Sequence, residues 1–152
     1  MSARTIQGIL LGVVIGIGVG VGAYTFAYAK GWSYLTDDSA ACANCHVMRE
    51  QFDGWLKSSH RAVAGCNSCH TPPSFIGKYL TKASNGFWHS FFFTTGAYED
   101  NIQIRPKSRV ITEQACRTCH REIVDAIEAT HLSLSGGQIA CLQCHNSVGH
   151  LH

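Results

Sequence analysis

Eight cysteines stand in one arrangement used four times: Cys42-Ala-Asn-Cys45-His46, Cys66-Asn-Ser-Cys69-His70, Cys116-Arg-Thr-Cys119-His120 and Cys141-Leu-Gln-Cys144-His145. No cysteine falls outside these units. Paired Cys-x-x-Cys also occurs in zinc ribbons, and even cysteine counts occur in secreted disulfide frameworks. Neither requires a histidine directly after every second cysteine. Cys-x-x-Cys-His is the order that attaches a c-type haem through two thioethers, with the adjacent imidazole as an axial ligand. The reading is four covalent haems on these eight cysteines, with His70, His120 and His145 as proximal ligands. The first motif adds a question. Met48, two residues past His46, is the only methionine besides Met1, and a thioether sulfur also ligates haem iron.

A low-spin iron takes a second strong ligand, most often a neutral imidazole. Histidines outside the motifs are His60, His89, His131, His150 and His152. His60, His131 and His150 are expected to be distal ligands. Four apolar macrocycles must be wrapped by the residues after position 30, so the core is expected to be mostly porphyrin, and the apo chain is not expected to fold alone. The formal charge is +2, but eight propionates would bring the holoprotein to about −6. The basic pI is thus no argument for nucleic-acid binding, and none is expected.

The elements that must position these groups follow. Gly8 to Ala29 carries no formal charge, and at about 1.5 Å per residue a helix of that length spans a ~30 Å hydrocarbon core. Ala27-Tyr28-Ala29 resembles a signal-peptidase site, but the apolar run is longer than the usual signal-peptide core. A retained anchor is expected, with the basic N-terminal tip cytoplasmic and the haem domain outside. Gly8, Gly12, Gly16 and Gly20 recur at i, i+4, a spacing that permits self-association or a partner helix. Trp32 and Tyr34 suit an interfacial aromatic belt.

Beyond the anchor the chain repeats itself. Each half is a motif, a further histidine (His60, then His131), and a second motif, which reads as two dihaem modules. The segment PPSFIGKYLTKASNGFWHSFFF between them opens on prolines that suit a helix start. Lys78, Lys82, Asn85 and His89 form one polar stripe on it, while Phe75, Ile76, Tyr79, Leu80, Phe87, Trp88 and Phe91 cover much of the rest. Such a helix is expected at the membrane interface, the alternative being a core helix against a haem. The expected fold is mostly α with long loops and almost no sheet. It comprises an anchor over residues 1–30 and a tetrahaem c-type domain over 31–152, with modules 42–70 and 116–150 linked by a helix at about 73–93.

These features together are similar to the NapC/NirT/NrfH-type membrane-anchored tetrahaem quinol dehydrogenases. The anchor, the WSYL junction, CANCHVM, SSH before CNSCH, KYLTKASNGFWHS and CLQCHNSVGH carry the resemblance. The compact length is most like the small subunit of cytochrome c nitrite reductase. The resemblance implies that Met48 rather than His46 ligates the first iron, leaving that haem's other face open to quinol. It implies that His60 reaches the haem of His145, and that His150 reaches the haem of His120. The second haem takes either a histidine at the place of His131 or a lysine from the partner enzyme.

The implied function is oxidation of menaquinol at the bacterial inner membrane. Electrons then pass to a periplasmic multihaem reductase, a pentahaem nitrite reductase being the expected partner. The alternatives are a different periplasmic reductase, or a haem tether with no quinol site. Quinol oxidation needs a group to hold the hydroxyl and take its proton, and Lys82 and Asn85 share a helix face. The resemblance implies an acidic residue at Asn85. Its amide takes no proton at neutral pH, which adds His89 and a freed His46 as candidates.

Overall fold

The structure is a computed structural model that describes the backbone of residues 2–99, 102–135 and 139–151, and side chains over 2–99, 102–129 and 139–151. The side chain of His131 lies outside the described residues. The chain divides into two compact units, Met1–Ser33 and Tyr34–His152. No strand occurs among the described residues.

The first unit is dominated by one helix, α1, Ala3–Tyr28. Ser2 caps it, its Oγ accepting from Thr5 N–H at 3.3 Å, as an N-cap serine does. With mean hydropathy 2.1 it is long and apolar enough to cross a membrane. None of its residues is buried.

The second unit contains the four cysteine–histidine motifs, three of them on short elements. The first motif runs through 3-10 turns at Ser39–Asn44 and His46–Met48. The second forms the short helix α3, Cys66–His70, after α2, Arg49–Lys57. The long helix α4, Phe75–Thr95, comes next. Pro72 and Pro73 precede it and Ser74 caps it, Oγ accepting from Gly77 N–H at 3.2 Å. Gly96 ends it at φ +67°, the left-handed cap that glycine adopts without a Cβ clash.

Helices α5, Pro106–Cys119, and α6, Arg121–Ser135, follow. The third motif therefore closes a 14-residue helix. Pro106 at the first turn sets the start, since proline lacks only a donor that the helix end does not use. The fourth motif begins α7, Cys141–Cys144. Among the described residues no hydrophobic side chain is buried, whereas Ser39, Ser58, Thr71, Thr81 and Lys82 are. This unit has no apolar protein core among those residues.

Candidate functional site

The motifs are tied down by polar contacts. Cys66 N–H donates to Ser39 Oγ at 3.1 Å, and Asn67 Nδ2 donates to Thr36 O at 3.2 Å and Asp37 Oδ1 at 3.0 Å. The second motif is thereby fastened to the chain just before the first. Glu113 on α5 accepts from Cys141 N–H at 2.8 Å and Leu142 N–H at 2.9 Å. Burial opposes its ionisation, but these bonds outweigh it and hold the carboxyl below its usual range. Arg117, between the cysteines of the third motif, pairs with Glu128 on α6 and donates to Ile139 O.

The C-terminal segment passes against α2 at Gly54. Leu151 N–H donates to Gly54 O at 3.2 Å, and a Cβ on Gly54 would lie 2.9 Å from Leu151 O. His150 Nδ1 meets Gln51 O at 2.7 Å, and His60 Nδ1 meets Val148 O at 3.2 Å. A carbonyl partner on Nδ1 fixes the tautomer with its lone pair on Nε2, the usual support for a metal-ligating imidazole. His60 lies edge-on to His120, with ring centroids 6.1 Å apart, and His150 lies 6.0 Å from His70. These neighbours differ from the pairing that the resemblance implies. Four ligand candidates from distant points of the chain nevertheless gather in two close pairs. Burial, with His150 beside it, lowers the His70 pKa, favouring the neutral ring that a ligand must present.

His46 and Met48 occupy one 3-10 turn. At about 120° per residue on such a turn, side chains two positions apart leave the backbone in different directions. His46 meets the Phe93 ring on α4 edge-on at 6.2 Å.

The stripe on α4 is where the sequence reading was least complete. Lys82 is 5% exposed and Thr81 8%, while Phe75 is 76% exposed, Ile76 72% and Leu80 66%. The helix is inside-out: polar residues face the unit and apolar ones face away. The chain from Tyr34 to Asp37 lies along the polar face. Asp37 pairs with Lys78, and its Oδ1 accepts from Lys82 Nζ at 2.9 Å. Thr36 O accepts from the same Nζ at 2.6 Å. Hydrogen bonds from Lys78 and Lys82 hold the Asp37 carboxyl down at about 2.

Farther along, Tyr34 packs its ring 3.5 Å from where a Cβ on Gly86 would sit, and its Oη is 3.2 Å from His89 Nδ1. Burial, with Cys45 and Cys42 nearby, pushes the Tyr34 phenol up to about 12. Desolvation and Arg105 lower the His89 pKa. Asn85, half-buried, lies between Lys82 and His89 on the same face. Tyr34 and Asp37 were missed as site residues. The available signal for Asp37 was an acid shortly before the first motif together with lysines one turn apart at positions 78 and 82.

The NapC/NirT cytochrome c family, N-terminal region, matches residues 4–152. The chain belongs to this family. It is 34% identical to the cytochrome c-type protein NrfH of Wolinella succinogenes over 135 residues, 84% of this chain and 76% of that protein. It is 26% identical to the cytochrome c-type protein TorY of Escherichia coli O157:H7, covering 82% of this chain but only 40% of that longer protein. Among solved structures it is similar to a chain in the crystal structure of the cytochrome c nitrite reductase NrfHA complex bound to the HQNO inhibitor. That match has a TM-score of 0.64 and 26% identity, over 90% of this chain and 88% of the other.

Membership of a NapC/NirT cytochrome c family implies covalently bound c-type haem, and the residues present fit it. The eight cysteines form no disulfide. The described residues contain no group of three or more His, Cys, Asp or Glu gathered as around a bare ion, the arrangement a zinc ribbon would need. His60 and His150 are braced at Nδ1. The apolar mass missing from the described interior is what a porphyrin supplies.

Proposed function

We propose that this NapC/NirT-family cytochrome is a membrane-anchored quinol dehydrogenase, which oxidises menaquinol and hands the electrons to a periplasmic multihaem reductase. The cytochrome c nitrite reductase named in the NrfHA complex is the partner this reading favours. Its main support is the inverted α4: a buried, ion-paired Lys82 inside and an aromatic face outside, in a chain similar to NrfH over most of its length. An apolar face of this size turned outward suits a lipid interface, and α1 would supply the anchor. Quinol, itself lipid-soluble, would then arrive beside the apolar face of α4 and meet the stripe of Lys82, Asn85 and His89 at its exposed end, His89.

On this reading the four motifs hold four haems, which supply a one-electron path. Met48 takes the first iron, while His46, turned toward Phe93, remains at the edge of the quinol site. His70, His120 and His145 are proximal ligands, and His60, His150 and His131 are distal ones. Lys82 holds a quinol oxygen as a hydrogen-bond donor, since a lysine paired with a carboxylate has protons to give and no lone pair to offer.

The test uses the detergent-solubilised holoprotein. Menaquinol should reduce its haems within the time of a mixing experiment, and dithionite should reduce them irrespective of the site. Reduction by dithionite but never by menaquinol would leave a haem tether as the function. Lys82→Leu should lose the quinol reaction selectively.

A further inference from the structure

The proton that leaves quinol needs an acceptor, and the stripe on α4 narrows the choice. Lys82, a donor to Asp37 and Thr36 O, offers no lone pair to a proton. Asn85 is an amide, with no basic lone pair at neutral pH. His46 belongs to the first haem motif and faces Phe93. His89 has its Nδ1 held by Tyr34 Oη, from a segment 55 positions away in the chain.

We propose that His89 is the proton acceptor of the quinol site, and that Tyr34 is the positioning residue that fits it for the task. This inference rests on the quinol-oxidising reading above. Tyr34 Oη accepts from Nδ1–H and so leaves the lone pair on Nε2. A quinol hydroxyl placed there loses its proton: the O–H bond breaks and Nε2–H forms. The haem iron is the one-electron oxidant. The imidazolium returns its proton to water through the exposed edge of His89, and the second proton and electron leave in the same way. The quinol thus gives up two protons and two electrons and becomes the quinone.

The surroundings suit both states of the ring. Tyr34 faces His89 from the segment before the first motif, and Arg105 faces it from the segment before α5. Lys78 and Lys82 lie farther along its own helix, both engaged by Asp37. Desolvation and Arg105 disfavour the charged imidazole, so the ring rests neutral and ready to accept. Tyr34 stays a phenol at physiological pH, so it can accept from Nδ1–H without exchanging a proton of its own. Gly86 allows the Tyr34 ring to approach α4 closely.

The experiment follows haem reduction by menadiol in the detergent-solubilised holoprotein across about pH 5 to 9, the range over which an imidazole titrates. Wild-type protein should slow in acid as His89 fills with a proton. His89→Gln should be slower by about a hundredfold and lose that acid limb. His89→Asp, which keeps a proton-accepting group, should recover part of the rate with the limb displaced to lower pH. Tyr34→Phe keeps the ring against Gly86 but removes the acceptor for Nδ1–H. Its plateau should fall severalfold, and its acid limb should move to lower pH because the imidazolium has lost a partner.

Dithionite should reduce all four proteins alike, showing that the haems are intact. A wild-type pH profile in His89→Gln or Tyr34→Phe, with an active wild type, overturns the dyad and leaves the quinol reading standing. A wild type that menadiol never reduces overturns both.

Discussion

Lys82 shows how one side chain changes meaning once its neighbours are known. A lysine on an apolar helix ordinarily extends its stem and sends its charge to water. Here it turns inward and meets Asp37. Asp37 is exposed, so the pair is screened and its worth lies in holding the 34–37 segment on α4. Its carboxyl pKa falls from 3.8 to about 2. The stabilisation is therefore complete above pH 3.8 and is lost as the pH falls through about 2. Protection of this segment's amides, taken relative to intrinsic exchange at each pH, should fall over that window. In Asp37→Asn the exchange should be fast already at neutral pH, and exchange identical to wild type would show that the ion pairs do not hold the segment.

Gly54 is a second such residue. An added Cβ would press on the Leu151 backbone, at an overpacking cost of about 1–3 kcal/mol. Gly54→Ala should displace His150 and change one low-spin haem signal in the magnetic spectra, while all haems stay attached. Unaltered spectra would remove His150 from the ligand set.

At the scale of elements, the cysteine–histidine motifs and α4 were legible because their signals are local: fixed spacing in one case, helical periodicity and caps in the other. The N-terminal apolar helix was legible for the same reason. The partners of the α4 stripe were not, because Tyr34 and Asp37 approach it from more than forty positions away and no periodicity encodes such a meeting. The length of α5 was hidden differently: it begins ten residues before the third motif, at Pro106, and the motif's spacing carries no information about the helix that leads into it.

Glu113, one turn before that motif, spans two elements by capping α7. Glu113→Ala should cost about 1 kcal/mol, the usual loss of a helix cap, seen as a lowered thermal midpoint of the holoprotein. No change would mean that the fourth motif is held by its haem alone. For α4, lipids carrying a photoactivated crosslinker in their tails should label Phe87, Trp88 or Phe91 after reconstitution in vesicles, read by mass spectrometry of the peptides. Absence of labelling would place the aromatic face elsewhere than in lipid.

At the scale of the whole molecule, the described residues of the second unit bury polar side chains and no hydrophobic ones. A chain of this kind has little reason to collapse until its cofactors arrive. Mass measurement should find four haem adducts on the chain, and fewer would overturn the count drawn from the motifs. Expression without haem attachment should yield a chain lacking cooperative unfolding. The inversion has a consequence in the cell. An ordinary domain can mature first and be loaded later, whereas here maturation is itself the loading. A starved cell would hold no reserve of empty protein awaiting iron, because unloaded copies would be cleared by proteases. The abundance of this cytochrome would then follow haem delivery more closely than it follows the rate of its synthesis.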